Sequence, residues 1–249
     1  MNPGDADIPS PAAAQARPVA PAQGQQIPQA RLTEALRAQT RQLHAEVERA
    51  GVMGALLRGR IDRATYCTLL RNLHLIYVAL EEGLAGHASH PRLAALRFDG
   101  LARRVALAQD LAVLHGEAWE GDLGLAPGAR RYAAHLDELA CEAPDRLAAH
   151  AYVRYLGDLS GGQILRGIVT DSLGLDGASG MSFYAFGEPG AAADLARRFR
   201  AGLDSVPIDA DGVRDLVAEA RFGFVLHAQM FEELAVMRLA RPPLAGSRA

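Results

Sequence analysis

The sequence contains no lysine: all 26 basic residues are arginine, set against 29 acidic ones for a formal net charge of -3. A charge so balanced argues against a general nucleic-acid binder. Without lysine there is also no phosphate-binding loop of the GxxxxGK[ST] type, because that loop uses a lysine to reach the β and γ phosphates. The point matters because residues 159–163 read LSGGQ, the pentapeptide that marks ATP-binding cassettes. Short apolar strands alternating with helices, which a parallel nucleotide-binding sheet needs, are missing as well. The pentapeptide therefore requires another explanation.

Cysteine is scarce. Cys67 and Cys141 stand far apart and form no CxxC pair, so neither a disulfide framework nor a thiolate zinc site is expected, and a reducing cytoplasm fits. No stretch reaches the roughly 18 to 20 apolar residues that span a bilayer. The start, MNPGDADIPS, has neither the basic nor the apolar region of a signal peptide. A cytoplasmic protein without a membrane anchor is expected. None of the eight histidines has a glutamate three residues before it, which disfavours a di-iron carboxylate centre of the four-helix type.

What is present is helical periodicity over nearly the whole chain. Residues 1–30 are rich in Pro, Ala, Gln and Gly and nearly free of large apolar side chains, so they read as a disordered tail. Residues 242–249 read as a flexible C-terminal tail, and residues 31–241 as one all-α domain. Leu32, Leu36, Leu43 and Val47 give a first helix with Gly51 as its stop. Further helices are expected from Asp62 to Gly83, across residues 100–116, from Pro127 to Cys141, and from Pro144 to Leu173. A Gly/Ser-rich connection follows, then helices near 190–204 and 210–240.

On the first helix, Arg37, Arg41, His44 and Glu48 fall in one stripe at about 100° per residue. A metal-binding imidazole usually has its other ring nitrogen held by an acceptor, and Glu48, four residues on, is placed for that. The arginines lie one and two turns earlier, where they could reach carboxylates of a flat macrocycle above His44. A solvated Arg/Glu face with a half-buried histidine gives the same spacing.

The long helix carries Gly157, Gly161, Gly162 and Gly167, each costing about 0.5 to 1 kcal/mol relative to alanine. Arg154, Gly157, Asp158 and Gly161 share one arc, and Leu159 and Ser160 point away from it. Such a face admits either a second helix or a flat ligand. The carboxylate of Asp158 must find hydrogen bonds or water there, which suits a ligand pocket containing ordered water.

The stretches RLTEALRAQTRQLHAEVE, LIYVALEEGL, YVRYLGDLSGGQIL and FVLHAQMFEEL, in that order over about residues 31 to 240, resemble the haem oxygenase family. The resemblance implies a single-domain helical fold that holds haem between a proximal and a kinked distal helix, and makes the likeness of LSGGQ to a cassette signature coincidental. By position, His44 matches the proximal ligand of the haem iron, and Gly157 and Gly161 match glycines whose backbone lies against haem. Asp158 matches the distal aspartate that organises water, with Arg154 and Tyr77 in the same polar network. Arg37, Arg41, Tyr152 and Arg200 match positions near the propionates, Met53 a haem-contacting position, and Phe224 and Phe231 residues around the pocket. Ala196 stands where some members are basic, with Arg197 or Arg198 as candidate substitutes.

The resemblance implies haem b as cofactor and substrate, oxygen as co-substrate, and ring opening to biliverdin with release of carbon monoxide and ferrous iron. The soluble, bacterial-type reading implies an electron donor such as ferredoxin or flavodoxin with its reductase, and a bilin-binding photoreceptor as a candidate recipient of the product. The alternative is a haem-binding or carrier protein without turnover.

Overall fold

The computed structural model describes residues 31–176 and 179–240. The two tails expected at 1–30 and 242–249 lie outside the described residues. Among the described residues every regular element is helical: α1 (Leu32–Val47), α2 (Gly51–Leu57), α3 (Arg63–Gly86), α4 (Arg104–Leu114), the short α5 (Trp119–Asp122), α6 (Pro127–Glu142), α7 (Leu147–Leu173), α8 (Ala191–Asp204) and α9 (Ala210–Leu239), with three single-turn 3-10 segments between them. No helix among them is long and apolar enough to cross a membrane.

Local chemistry sets the boundaries. Asp62 accepts from the Thr65 amide at 2.8 Å to open α3, and Asp209 accepts from the Gly212 amide at 2.9 Å to open α9. Pro127 opens α6 where a missing amide hydrogen costs nothing. Gly174, at φ 59°, turns the chain left-handed and ends α7.

α9 is the spine: α1, α2, α6 and α7 all pack along it, and α3 packs on α6 and α4. Buried apolar residues from Leu32 to Leu234 form one contiguous core. The two cysteines form no disulfide.

The structure corrects the sequence reading in two places. Gly51 does not stop a helix: α1 has already ended at Val47, and Gly51, at φ +38°, opens α2. A Cβ there would lie 2.0 Å from the Phe231 carbonyl oxygen, so glycine is required by close approach to α9. α2 is only seven residues long, too short for periodicity to reveal. The helix expected over 100–116 begins at Arg104 instead, because Arg103 turns inward and donates to the carbonyls of Gly100, Leu101, Phe183 and Ala185. The Gly/Ser-rich connection after α7 has a buried part on which the sequence reading was silent. Met181, Phe183 and Tyr184 are buried, and the Asp110 carboxylate accepts from the Ser182 and Phe183 amides at 2.7 Å each.

Candidate functional site

α1 and α7 both lie against α9 and meet at the hydroxyls of Thr40 and Tyr152, 3.4 Å apart. The residues that the resemblance assigns to one site lie on these two helices and on α2, α3, α8 and α9.

On the α7 side, Asp158 is buried. Arg154, one turn earlier, donates from Nη2 to Oδ1 at 3.0 Å, and Tyr77 on α3 donates its hydroxyl to Oδ2. The Arg154 guanidinium also lies over the Tyr77 ring, 5.1 Å from its centroid. The sequence placed these three residues in one network, and the fold joins them directly. Burial pushes the Asp158 carboxyl well above the usual carboxylate range and pulls Arg154 down to about 10. The Arg154 Nε is buried with no protein partner, so a polar group beyond the described side chains is called for.

The glycines divide. A Cβ on Gly157, Gly161 or Gly167 would meet nothing within 4 Å, whereas one on Gly162 would meet the Tyr184 ring at 3.4 Å. Of the four, only Gly162 has a neighbour within contact distance of an added Cβ. Gly157 and Gly161, beside Asp158 on its arc, leave the backbone of α7 open to a flat ligand. This gives a separable prediction. Gly157→Ala should stabilise the ligand-free protein by about 0.5 to 1 kcal/mol, the helix-propensity difference, while weakening haem binding. Thermal melts and haem titration check the two halves, and tighter haem binding by the variant would refute the open-face reading.

On the α1 side, His44 is half exposed, and its Nδ1 lies 3.5 Å from a Glu48 carboxylate oxygen. Its ring sits edge-on to Phe224, centroids 5.9 Å apart. Glu48 is thus where the stripe placed it, and Nε2 is the nitrogen left for a metal. Arg37 and Arg41 are exposed and, with Glu34 and Ala38, line an open surface hollow. Arg200 on α8 donates to the Ser160 hydroxyl at 3.4 Å, which brings it to the edge of α7. Met53 packs half-buried against the core, and Phe231 is buried within it. Of the candidate substitutes at Ala196, Arg197 pairs with Asp194 and Arg198 lies over Phe98, 4.8 Å from the ring centroid. Neither is spare.

The sequence reading missed His227. Arg154 Nη1 donates to His227 Nε2 at 3.1 Å, and His227 Nδ1 donates to the Gly223 carbonyl at 3.0 Å. Because arginine only donates, Nε2 must be the unprotonated nitrogen and the ring is neutral. Burial first, then the neighbouring Arg154 charge, hold the imidazole well below its usual range. A signal existed: His227 falls three residues after Phe224 and four before Phe231, on the same helical face.

His227→Leu should cost about 1 to 3 kcal/mol, since Arg154 loses a buried acceptor. It should also change the pH dependence of stability. Below pH 6.5 the unfolded imidazole takes up a proton that the folded ring refuses, so wild-type stability is lost as pH falls, by up to about 1.4 kcal/mol per unit. His150, also lowered by burial, adds to this, while Asp158, raised by burial, opposes it. The diagnostic is the difference in urea melts between pH 7.5 and 5.5. A variant as pH-sensitive as wild type would exclude His227 as the neutral acceptor.

Comparison with known proteins gives a consistent picture. The family model described as Heme oxygenase matches residues 30–233. Heme oxygenase 1 of Nostoc sp. is 34% identical over 203 residues, 82% of this chain and 85% of that protein. Heme oxygenase 1 of Homo sapiens is 35% identical over 205 residues, 82% of this chain and 71% of that protein. The crystal structure of heme oxygenase-2 from Synechocystis sp., in complex with heme and NO, matches with a TM-score of 0.80 at 34% identity, covering 84% of this chain and 86% of that one.

Proposed function

The chain belongs to the haem oxygenase family, and from that membership we propose that it binds haem b between α1 and α7 and opens it to biliverdin, carbon monoxide and ferrous iron. Bound haem supplies an iron that activates oxygen and a macrocycle carbon that is oxidised. His44 holds the iron through Nε2, with Glu48 near Nδ1 favouring the tautomer that leaves Nε2 free. Gly157 and Gly161 let the macrocycle lie against the α7 backbone. Arg37, Arg41, Tyr152 and Arg200 present donors at the rim for its propionates, and Met53, Phe224 and Phe231 supply apolar surface.

The observation that carries the reading is the buried carboxylate of Asp158 beside an open backbone. Arg154 and Tyr77 occupy part of its capacity, and a carboxylate offers about four lone-pair positions. The remainder can orient a water, which can hold a proton near the ring without a side chain donating it directly. A carrier has no use for this arrangement, since a buried charged network costs stability unless every member is satisfied. The electron donor is a reductase-coupled protein such as ferredoxin or flavodoxin, a bilin-binding photoreceptor is a candidate recipient of the product, and the compartment is the cytoplasm.

The test is single turnover. The full chain, reconstituted with haem and supplied with oxygen and a ferredoxin reductase system, should give the absorption of biliverdin. Haem that is bound and reduced but never opened would leave only the carrier reading, and no Soret shift on haem addition would remove both.

A further inference from the structure

Away from this site, three helices converge on a second group of metal-type donors. α6 supplies His135, α7 supplies His150 and α9 supplies Glu219. Both imidazoles direct Nε2 at the same carboxylate oxygen, Glu219 Oε1, at 2.7 and 3.0 Å. The three donor atoms all lie within 4.8 Å of one another. We propose that His135, His150 and Glu219 form a binding site for one divalent transition-metal ion of the zinc or ferrous class, separate from the haem site.

The donor chemistry fits that class. Two imidazoles and one carboxylate, with the remaining positions left to water, suit borderline ions and are a poor set for calcium or magnesium. With bonds of about 2.1 Å, two atoms on one ion sit roughly 3 to 4 Å apart, so donors already within 4.8 Å of one another need draw in only slightly. The side chains of His150 and Glu219 are 0% and 8% exposed, and that of His135 is 21% exposed. The first two are therefore fixed by packing, and the third forms the entrance.

The surroundings are those of a prepared site. His150 Nδ1 lies 2.9 Å from the Tyr132 hydroxyl, an outer partner of the kind that fixes a ligating imidazole. Without metal each neutral ring donates its Nε2 proton to Glu219. Metal binding moves that proton to Nδ1, where His150 can give it to the Tyr132 oxygen and His135 to solvent. The competing cation is Arg146, 3.8 Å from Glu219 Oε2, but it is partly exposed and has Asp215 as a second partner at 3.3 Å. It can turn aside.

His150 precedes Asp158 by eight residues on α7, roughly 12 Å along the axis, so an ion here does not touch haem. The site does not depend on haem turnover, and its test does not use it. Calorimetric titration of the full chain, free of haem, with zinc should show one ion per chain. His135→Ala, at the entrance and harmless to the core, should weaken binding by at least the roughly 10- to 100-fold that loss of an outer-shell partner costs a metal site, with Glu219→Gln confirming the loss if it folds. His44→Ala should leave zinc binding unchanged. Equal affinity in wild type and His135→Ala, no saturable binding in wild type, or loss of the ion in His44→Ala would each overturn the proposal.

Discussion

Replacing His44 by alanine is expected to abolish the native axial coordination of haem and with it nearly all biliverdin formation. The expected loss exceeds the roughly 10- to 100-fold that removal of an outer-shell partner costs a metal site, because the ligand itself is gone. Stability should change by no more than about 0.5 kcal/mol, since the side chain is 54% exposed and its polar contact among the described residues is Glu48. Soluble imidazole should restore part of the ligation spectrum by entering the space left by the ring. A variant with wild-type ligation bands would show that iron is held elsewhere. The combination of lost ligation and unchanged folding separates a ligand from a residue that merely supports the helix.

Asp158→Asn carries the second large effect. The exchange keeps volume, and its amide oxygen can still accept from Arg154, so the helix and the haem-facing glycines should persist. What is lost is the second acceptor oxygen, through which the carboxyl takes the Tyr77 bond and orients water, and proton transfer through a positioned water contributes about 10²- to 10⁴-fold. Haem should bind with near-normal affinity while biliverdin formed per haem consumed falls by that order. Unchanged yield would eliminate the proposed role of Asp158. Leaving Arg154 buried without a full counter-charge can cost several kcal/mol, so melts must accompany the measurement. Tyr77→Phe, which removes only the hydroxyl donor to Asp158, should lower the yield by a smaller factor with the fold intact.

The helices that sequence made legible are those with long apolar stripes or strong ends. α3 starts one residue after Asp62, α6 at Pro127 and α7 three residues after Pro144, α7 ends at Leu173, and α9 spans the expected stretch near 210–240. α2 was hidden because seven residues hold under two turns of pattern. Burial of Met181, Phe183 and Tyr184 was hidden because it depends on Asp110, some seventy residues earlier. The site divides along the same line. His44 and Glu48, or Arg154, Gly157, Asp158 and Gly161, share a face by helical spacing alone. His227 touches Arg154 across 73 residues of chain, and no local spacing encodes that contact.

By itself, then, the sequence determined the helical class, the absence of a lysine-dependent nucleotide site, and which side chains share a face on α1 and on α7. Those are properties of one helix at a time, governed by a repeat of 3.6 residues. Only the tertiary structure decided what each face meets. It left Gly157 and Gly161 open while closing Gly162 on Tyr184, and it set His227 behind Arg154. It also gathered His135, His150 and Glu219 from three helices after the absence of a Glu-x-x-His pair had argued against a di-iron centre. The physical reason is that donors on different helices come together through packing on α9, and packing is fixed by the whole core rather than by spacing along any one segment.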